Sequence, residues 1–119
     1  MPFAEIVVEQ PAFTNIAVSG SKDFESVHLG SKTSLTFIIR NTGDADLTGL
    51  VITKDGTNAS DFTITTNPVS PVIGPDGTTP FTVQFAPNAI GARTATIHIA
   101  NNDINENPFH ITLTGTGKA

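Results

Sequence analysis

Two stretches of this chain hold residues that could do chemistry. The first is NNDINEN, Asn101 to Asn107, a crowd of carboxylate and amide oxygens. Calcium binds through six to eight oxygens, so such a crowd invites a cation. The run lacks the glycine-bearing spacing of an EF-hand loop, however, and Asn and Asp serve equally well in turns, where their side chains bond the nearby backbone. It is read as a turn between two strands, with Asp103 and Glu106 the calcium candidates should that turn hold an ion. GDAD, Gly43 to Asp46, carries two carboxylates and is read the same way.

The second stretch is a pair of histidines, His98 and His110, each on the outward phase of an alternating run. A hairpin folded symmetrically about Ile104 sets them directly opposite each other, and a two-residue slip leaves them diagonal. Two imidazoles across a strand pair can hold zinc or copper if a third ligand arrives. Without one they are two solvated side chains, and that is the reading adopted, with zinc as the candidate ion. His28 stands alone and reads as a surface residue. No metal or cofactor is assigned.

Catalytic arrangements are not visible. No serine sits in a G-x-S-x-G turn, and no glycine-rich phosphate loop is present. With no cysteine, thiolate nucleophiles, thiolate metal sites and disulfides are all excluded. The chain is not expected to be an enzyme.

The elements that must position these residues read as strands. Short runs of period two recur: AEIVVEQ (4–10), DFESVHL (23–29), TSLTFIIRN (33–41), LTGLVITKDG (47–56), DFTITT (61–66), PFTVQF (80–85), ARTATIHIA (92–100) and PFHITLTG (108–115). Strict alternation marks a strand with one buried face. Phe37, Phe62, Phe81, Val83, Phe85, Ile97, Ile99, Ile111 and Leu113 form the expected core. Leu47 is out of phase with Leu50 and Ile52, which calls for a bulge or bend near Gly49. Gly, Pro, Asn and Asp punctuate the gaps, because Pro fixes φ and Gly admits positive φ. The first strand is expected at a sheet margin, with Glu5 and Glu9 discouraging chance pairing. The segment from Phe13 to Ser21 does not read clearly and fits a long connection between two halves of the first strand.

Composition narrows the partners. The chain has 119 residues, with six Lys and Arg against eleven Asp and Glu, for a formal net charge of −5. The basic residues are scattered, whereas a nucleic-acid or anionic-membrane binder shows a basic stripe, so both partners are rejected. No apolar run approaches the roughly 20 residues of a membrane-spanning helix. MPFAEIVVEQP lacks the pattern of a signal peptide. Trp and Tyr, the usual stacking platforms for sugars, are both absent, which counts against a lectin.

Three segments taken together resemble a known family. They are FIIRNTGDADLT, GTNASDFTITTNPVSPVIGPDGTTPFTVQFAP and GARTATIHIANNDINENPFHITLTGTG. In order, they are similar to the pattern of bacterial choice-of-anchor D modules, relatives of the ASPM/SPD-2/Hydin (ASH) immunoglobulin-like domains. The upstream DFESVHLGSKTSLTF resembles the corresponding family segment, except that Glu25 stands where the family usually has Gly. The likeness runs from about Ile6 to Gly117.

The resemblance implies an all-β, immunoglobulin-like antiparallel β-sandwich of about seven to eight strands, in one domain over residues 1–119, cut from a longer protein. It brings no catalytic residues. It implies a non-catalytic structural, spacer or adhesion module of a bacterial secreted or cell-surface protein, hence an extracellular or surface location. The alternatives are an intracellular scaffold module of the ciliary or centrosomal type, which would be cytoplasmic, and an accessory domain attached to an enzyme. Expected partners are neighbouring domains of the same polypeptide, or another protein bound at an edge strand or at the loops. The closing GTG, Gly115 to Gly117, is expected to be a flexible exit between modules.

Overall fold

An alternating strand has one apolar face, which leaves water only by meeting another layer. The computed structural model, which describes residues 3–119, is built on that principle. Its strands are β1 (Ile6–Glu9), β2 (Asn15–Ile16), β3 (Gly20–His28), β4 (Thr33–Asn41), β5 (Val51–Asp55), β6 (Phe62–Thr66), β7 (Gly77–Phe85), β8 (Gly91–Ala100) and β9 (Phe109–Lys118), with one 3-10 turn at Ala59–Asp61. One sheet runs β2-β1-β4-β7-β6 and the other β3-β9-β8-β5.

The core lies between the sheets. All nine residues expected there are fully buried. Phe37 stacks on Phe81 with ring centroids 4.9 Å apart, and Phe62 stacks on Phe85 at 4.8 Å. Phe24 of β3 closes over them, 5.6 Å from Phe62 and 6.0 Å from Phe85. Ile6 and Val8 of β1 and the loop residues Leu47 and Val72 complete the interior. The bend expected near Gly49 is present (φ +70°), but the strand begins only at Val51, and Leu47, outside the expected core, reaches it from the preceding loop through an isolated bridge to Val72.

The N-terminal quarter departs from expectation. The strand at the margin is β2, not β1. The chain turns back at Pro11–Thr14, and Val8 pairs with Ile16 and Glu9 with Asn15. Glu9 is therefore no exposed guard of an edge. It is 3% exposed, and its carboxylate takes the Arg40 Nε at 2.8 Å. Hydrogen bonds from Arg40 hold the Glu9 carboxyl below its ordinary pKa. Phe13–Ser21 is not one long connection. It contains β2 and then crosses to the other sheet, where β3 starts at Gly20, three residues earlier than the alternation suggests. Having crossed, β3 runs alongside β9, so this pair is parallel while the others are antiparallel.

Glu25 sits in a bulge of β3. Asp23 pairs with Thr114 and Ser26 with Thr116, so β3 carries one extra residue. Glu25 takes φ +65°, the left-handed region that favours glycine, which explains why the family pattern has Gly at this position.

The closing GTG is not a flexible exit. Gly115 and Gly117 lie inside β9. A Cβ on Gly115 would stand 2.4 Å from the Phe85 ring, and one on Gly117 would stand 2.1 Å from the Ala89 carbonyl oxygen. These glycines allow close packing rather than motion.

The molecule is elongated, 53 × 22 × 19 Å. β1 begins at one pole, beside the end of β4 and the loops 42–50, 67–76 and 101–108. β9 ends at the other, where Leu29 N–H donates to the Lys118 carbonyl at 2.8 Å.

Candidate functional site

The loop joining β8 to β9 is a turn, as its composition indicates, but a tightly built one. Asn101, 5% exposed, acts as its peg. Its Nδ2 donates to the Ile99 and Glu106 carbonyls, both at 2.9 Å, and its Oδ1 accepts from Asp103 N–H at 2.8 Å. Asp103 is 3% exposed. Its Oδ2 accepts from Ile6 N–H at 3.2 Å, and its Oδ1 accepts from Asn105 N–H at 3.2 Å. The loop is thus stitched to β1. Sequence reasoning noted Asp103 but missed its burial, which depends on β1 lying against the loop, and missed the structural role of Asn101, whose bonds stay within the loop.

Glu5, Asp103 and Glu106 bring carboxylate oxygens within 4.8 Å of one another. Three anions at that separation repel, and sharing a proton relieves the repulsion. Burial, aided by hydrogen bonds to Glu5 and Asp103, pushes the Glu106 carboxyl up to about 7. At neutral pH the cluster therefore holds a proton for part of the time. It lies beside a notch of about 480 Å³ bounded by Phe3, Ala4 and Glu5 on one side and Asn102–Asn105 on the other. Phe3 and Ile104 stand exposed at its rim. For calcium the set is short, since three carboxylates fall below six to eight ligands and Asp103 already serves two backbone donors.

His98 and His110 are directly paired across β8 and β9, in the symmetric arrangement about Ile104. Their Nδ1 atoms are 2.7 Å apart, with the rings nearly perpendicular at 88°. His98 Nε2 is 3.0 Å from Asp55 Oδ2 on β5, although off the line of a hydrogen bond. His28, exposed on β3, has its Nδ1 3.0 Å from the Ala119 carbonyl oxygen and touches neither.

The far pole holds a buried ion pair absent from the sequence-based candidates. Arg93 Nε donates to Asp61 Oδ2 at 2.6 Å and its Nη2 to Asn88 Oδ1 at 2.7 Å. These contacts tie the turn before β6 to the loop before β8. Charge is unevenly spread. Glu5, Asp44, Asp46, Asp76, Asp103 and Glu106 gather at the β1 pole, where hydrogen bonds link Asp44 N–H to Phe3, the Asp46 carbonyl to Asn102 and Asp76 N–H to Asn41. Lys32, Lys118 and Arg93, the last paired with Asp61, lie at the opposite pole.

These clusters contain none of the linked nucleophile, base and oxyanion donors of a catalytic centre. Comparison with known proteins identifies the fold and the family. A family model described as HYDIN/CFA65/VesB-like, Ig-like domain matches residues 15–116. No curated protein is similar enough to register as a relative. Among solved structures, a protein of unknown function from Porphyromonas gingivalis W83 is similar with a TM-score of 0.69 at 20% identity, over 97% of this chain and 46% of that one. The chain thus spans about half of that protein's length. The ASH/PapD-like domain 7 of human CEP192 is similar with a TM-score of 0.69 at 12% identity, over 95% of this chain and 84% of that one. The secreted serine protease VesC from Vibrio cholerae is similar with a TM-score of 0.59 at 15% identity, over 81% of this chain and 21% of that one. At such identities the structures establish a shared fold. The family model, spanning most of the sequence, goes further: this chain belongs to the HYDIN/CFA65/VesB-like family of immunoglobulin-like domains.

Proposed function

We propose that the chain is a non-catalytic spacer or adhesion module of a larger bacterial secreted or cell-surface protein. The observation that carries this reading is the placement of the first and last strands. A rod 53 Å long has β1 starting at one pole and β9 finishing at the other, so modules joined through these ends would extend end to end. The likeness of the sequence to choice-of-anchor D modules and the secreted setting of VesC support an extracellular location. The partial coverage of both the P. gingivalis protein and VesC supports a module within a longer polypeptide.

Partners on this reading are neighbouring modules, and proteins that add at an edge strand or grip the pole loops. β5 and β6 end their sheets with one side unpaired, and Val51 on β5 is exposed. An extended segment can add to such an edge through main-chain hydrogen bonds.

The test is small-angle scattering on two copies fused through their own ends. A maximum dimension near twice the 53 Å of one module is expected. A side-by-side pair with a maximum dimension little greater than one module would overturn the spacer reading.

A second reading has its own support. The likeness to an ASH/PapD-like domain agrees with the ASH resemblance of the sequence, which carries an intracellular scaffold module as its alternative. Protease shaving of intact host cells separates the two, since a surface module is cut and a cytoplasmic one is protected.

A further inference from the structure

We propose that His98 and His110 form a two-imidazole chelate for a borderline divalent transition ion, copper(II) or zinc(II), on the outer face of the second sheet. The site is independent of the spacer reading. Its frame is rigid. β8 and β9 are ten residues each and pair in continuous register from Gly91↔Gly117 to Ile99↔Phe109, while Ile97, Ile99 and Ile111 anchor the opposite face in the core. The two ring nitrogens are therefore brought together by the fold itself.

The separation of 2.7 Å between the Nδ1 atoms has a chemical meaning. Two N–H groups cannot point at each other at that distance. One nitrogen carries the proton and the other offers its lone pair. A metal can take the place of that proton. Metal–nitrogen bonds of about 2.0–2.1 Å put two nitrogens on one ion about 2.9 Å apart at a right angle and about 3.4 Å apart at a tetrahedral angle. The rings need to part by less than 1 Å.

Asp55 supplies the other half of the arrangement. A ligating histidine almost always donates its second ring N–H to a carboxylate, carbonyl or water, which fixes the tautomer. His98 Nε2 is 3.0 Å from Asp55 Oδ2 and has no aligned hydrogen bond. The Asp55 side chain is 70% exposed and free to swing into line. In the loaded state both Nδ1 atoms face the ion, the proton that lay between them moves to the Nε2 of the ring that carried it, and His98 Nε2–H donates to Asp55. The proton thus stays within the pair, and water supplies the third ligand and fills the remaining coordination positions. Such a set of nitrogen and water ligands follows the usual order of affinity, with copper(II) above zinc(II).

The test is titration of the whole chain with CuCl2 and, separately, ZnCl2 in a non-coordinating buffer at neutral pH. We expect one ion per chain, copper(II) bound more tightly than zinc(II), and an electron paramagnetic resonance spectrum of the copper form with two-nitrogen hyperfine structure. Zinc should move the NMR signals of the His98 and His110 rings and leave those of His28 in place. His98→Gln and His110→Gln should each weaken copper binding at least tenfold, and His28→Gln should not. Asp55→Asn should weaken it by roughly 10-fold, the lower end of the range for loss of an outer partner. Binding that survives both His98→Gln and His110→Gln, or zinc-induced shifts that avoid these rings in the unaltered chain, would overturn the proposal. The NMR result holds even if a variant fails to fold.

Discussion

Replacing Gly115 by alanine should destabilise this protein strongly, although alanine is the smallest side chain that can be added. The new Cβ would sit 2.4, 2.6 and 2.9 Å from three atoms of the Phe85 ring. Carbon atoms in contact prefer about 3.5–4.0 Å, so the ring must retreat by roughly 1 Å. It has nowhere to go, since Phe85 is fully buried, stacked on Phe62 at 4.8 Å and flanked by Phe24 at 6.0 Å. Overpacking a filled core costs about 1–3 kcal/mol, and the rigidity of this aromatic cluster argues for the upper half of that range. With an unfolding entropy of about 2.1 cal/mol/K per residue over the chain, a loss of about 2–3 kcal/mol lowers Tm by about 8–12 °C. Urea and thermal unfolding measure this directly. A double-mutant cycle identifies the cause. Phe85→Leu removes the ring atoms in conflict, so it should recover at least about 1 kcal/mol of the Gly115→Ala loss in the double variant. A Gly115→Ala protein within about 0.5 kcal/mol of its parent, or strictly additive losses, would refute the close-packing argument.

Other expectations follow from single features. Ile97→Ala should cost about 2–5 kcal/mol in urea unfolding because it leaves a cavity at the centre of the core, and a loss below 1 kcal/mol would contradict the packing described. Glu25→Gly should raise stability by about 1 kcal/mol by relieving a left-handed backbone at the β3 bulge, and a loss of stability would show that the Glu25 side chain matters more than its φ. The folded-state pKa of Glu106, about 7, lies above its ordinary value of 4.5, so the folded state binds the proton more tightly. Its contribution to stability is complete below pH 4.5, declines as the pH rises through about 7 and is flat beyond that. Glu106→Gln should flatten unfolding curves between pH 5 and 8, and an unchanged slope in that variant would assign the dependence elsewhere. Glu9, held low by Arg40, contributes above its unfolded pKa and loses that contribution in acid, outside this window.

Much of this was legible in the sequence because strand alternation is local. The period of two in TSLTFIIRN, ARTATIHIA and PFHITLTG set the inward and outward faces without knowledge of neighbours, and it placed His98 opposite His110 once the hairpin was centred on Ile104. Glu25 was seen to stand where the family usually has Gly, but the left-handed φ that accounts for that preference came from the structure. What the sequence could not supply was anything dependent on which strands become neighbours. Glu9 looked like an edge charge until the β1–β2 hairpin and Arg40 of β4 enclosed it. Gly115 and Gly117 looked like a hinge until Phe85 and Ala89 came to rest against them. Asp103 and Glu106 looked like loop carboxylates until β1 brought the Ile6 N–H and Glu5 alongside. In each case the deciding partner lies about 30 or more residues away or on another strand, and a side chain's protonation, burial and tolerance of change are set by such distant neighbours rather than by its own run of residues.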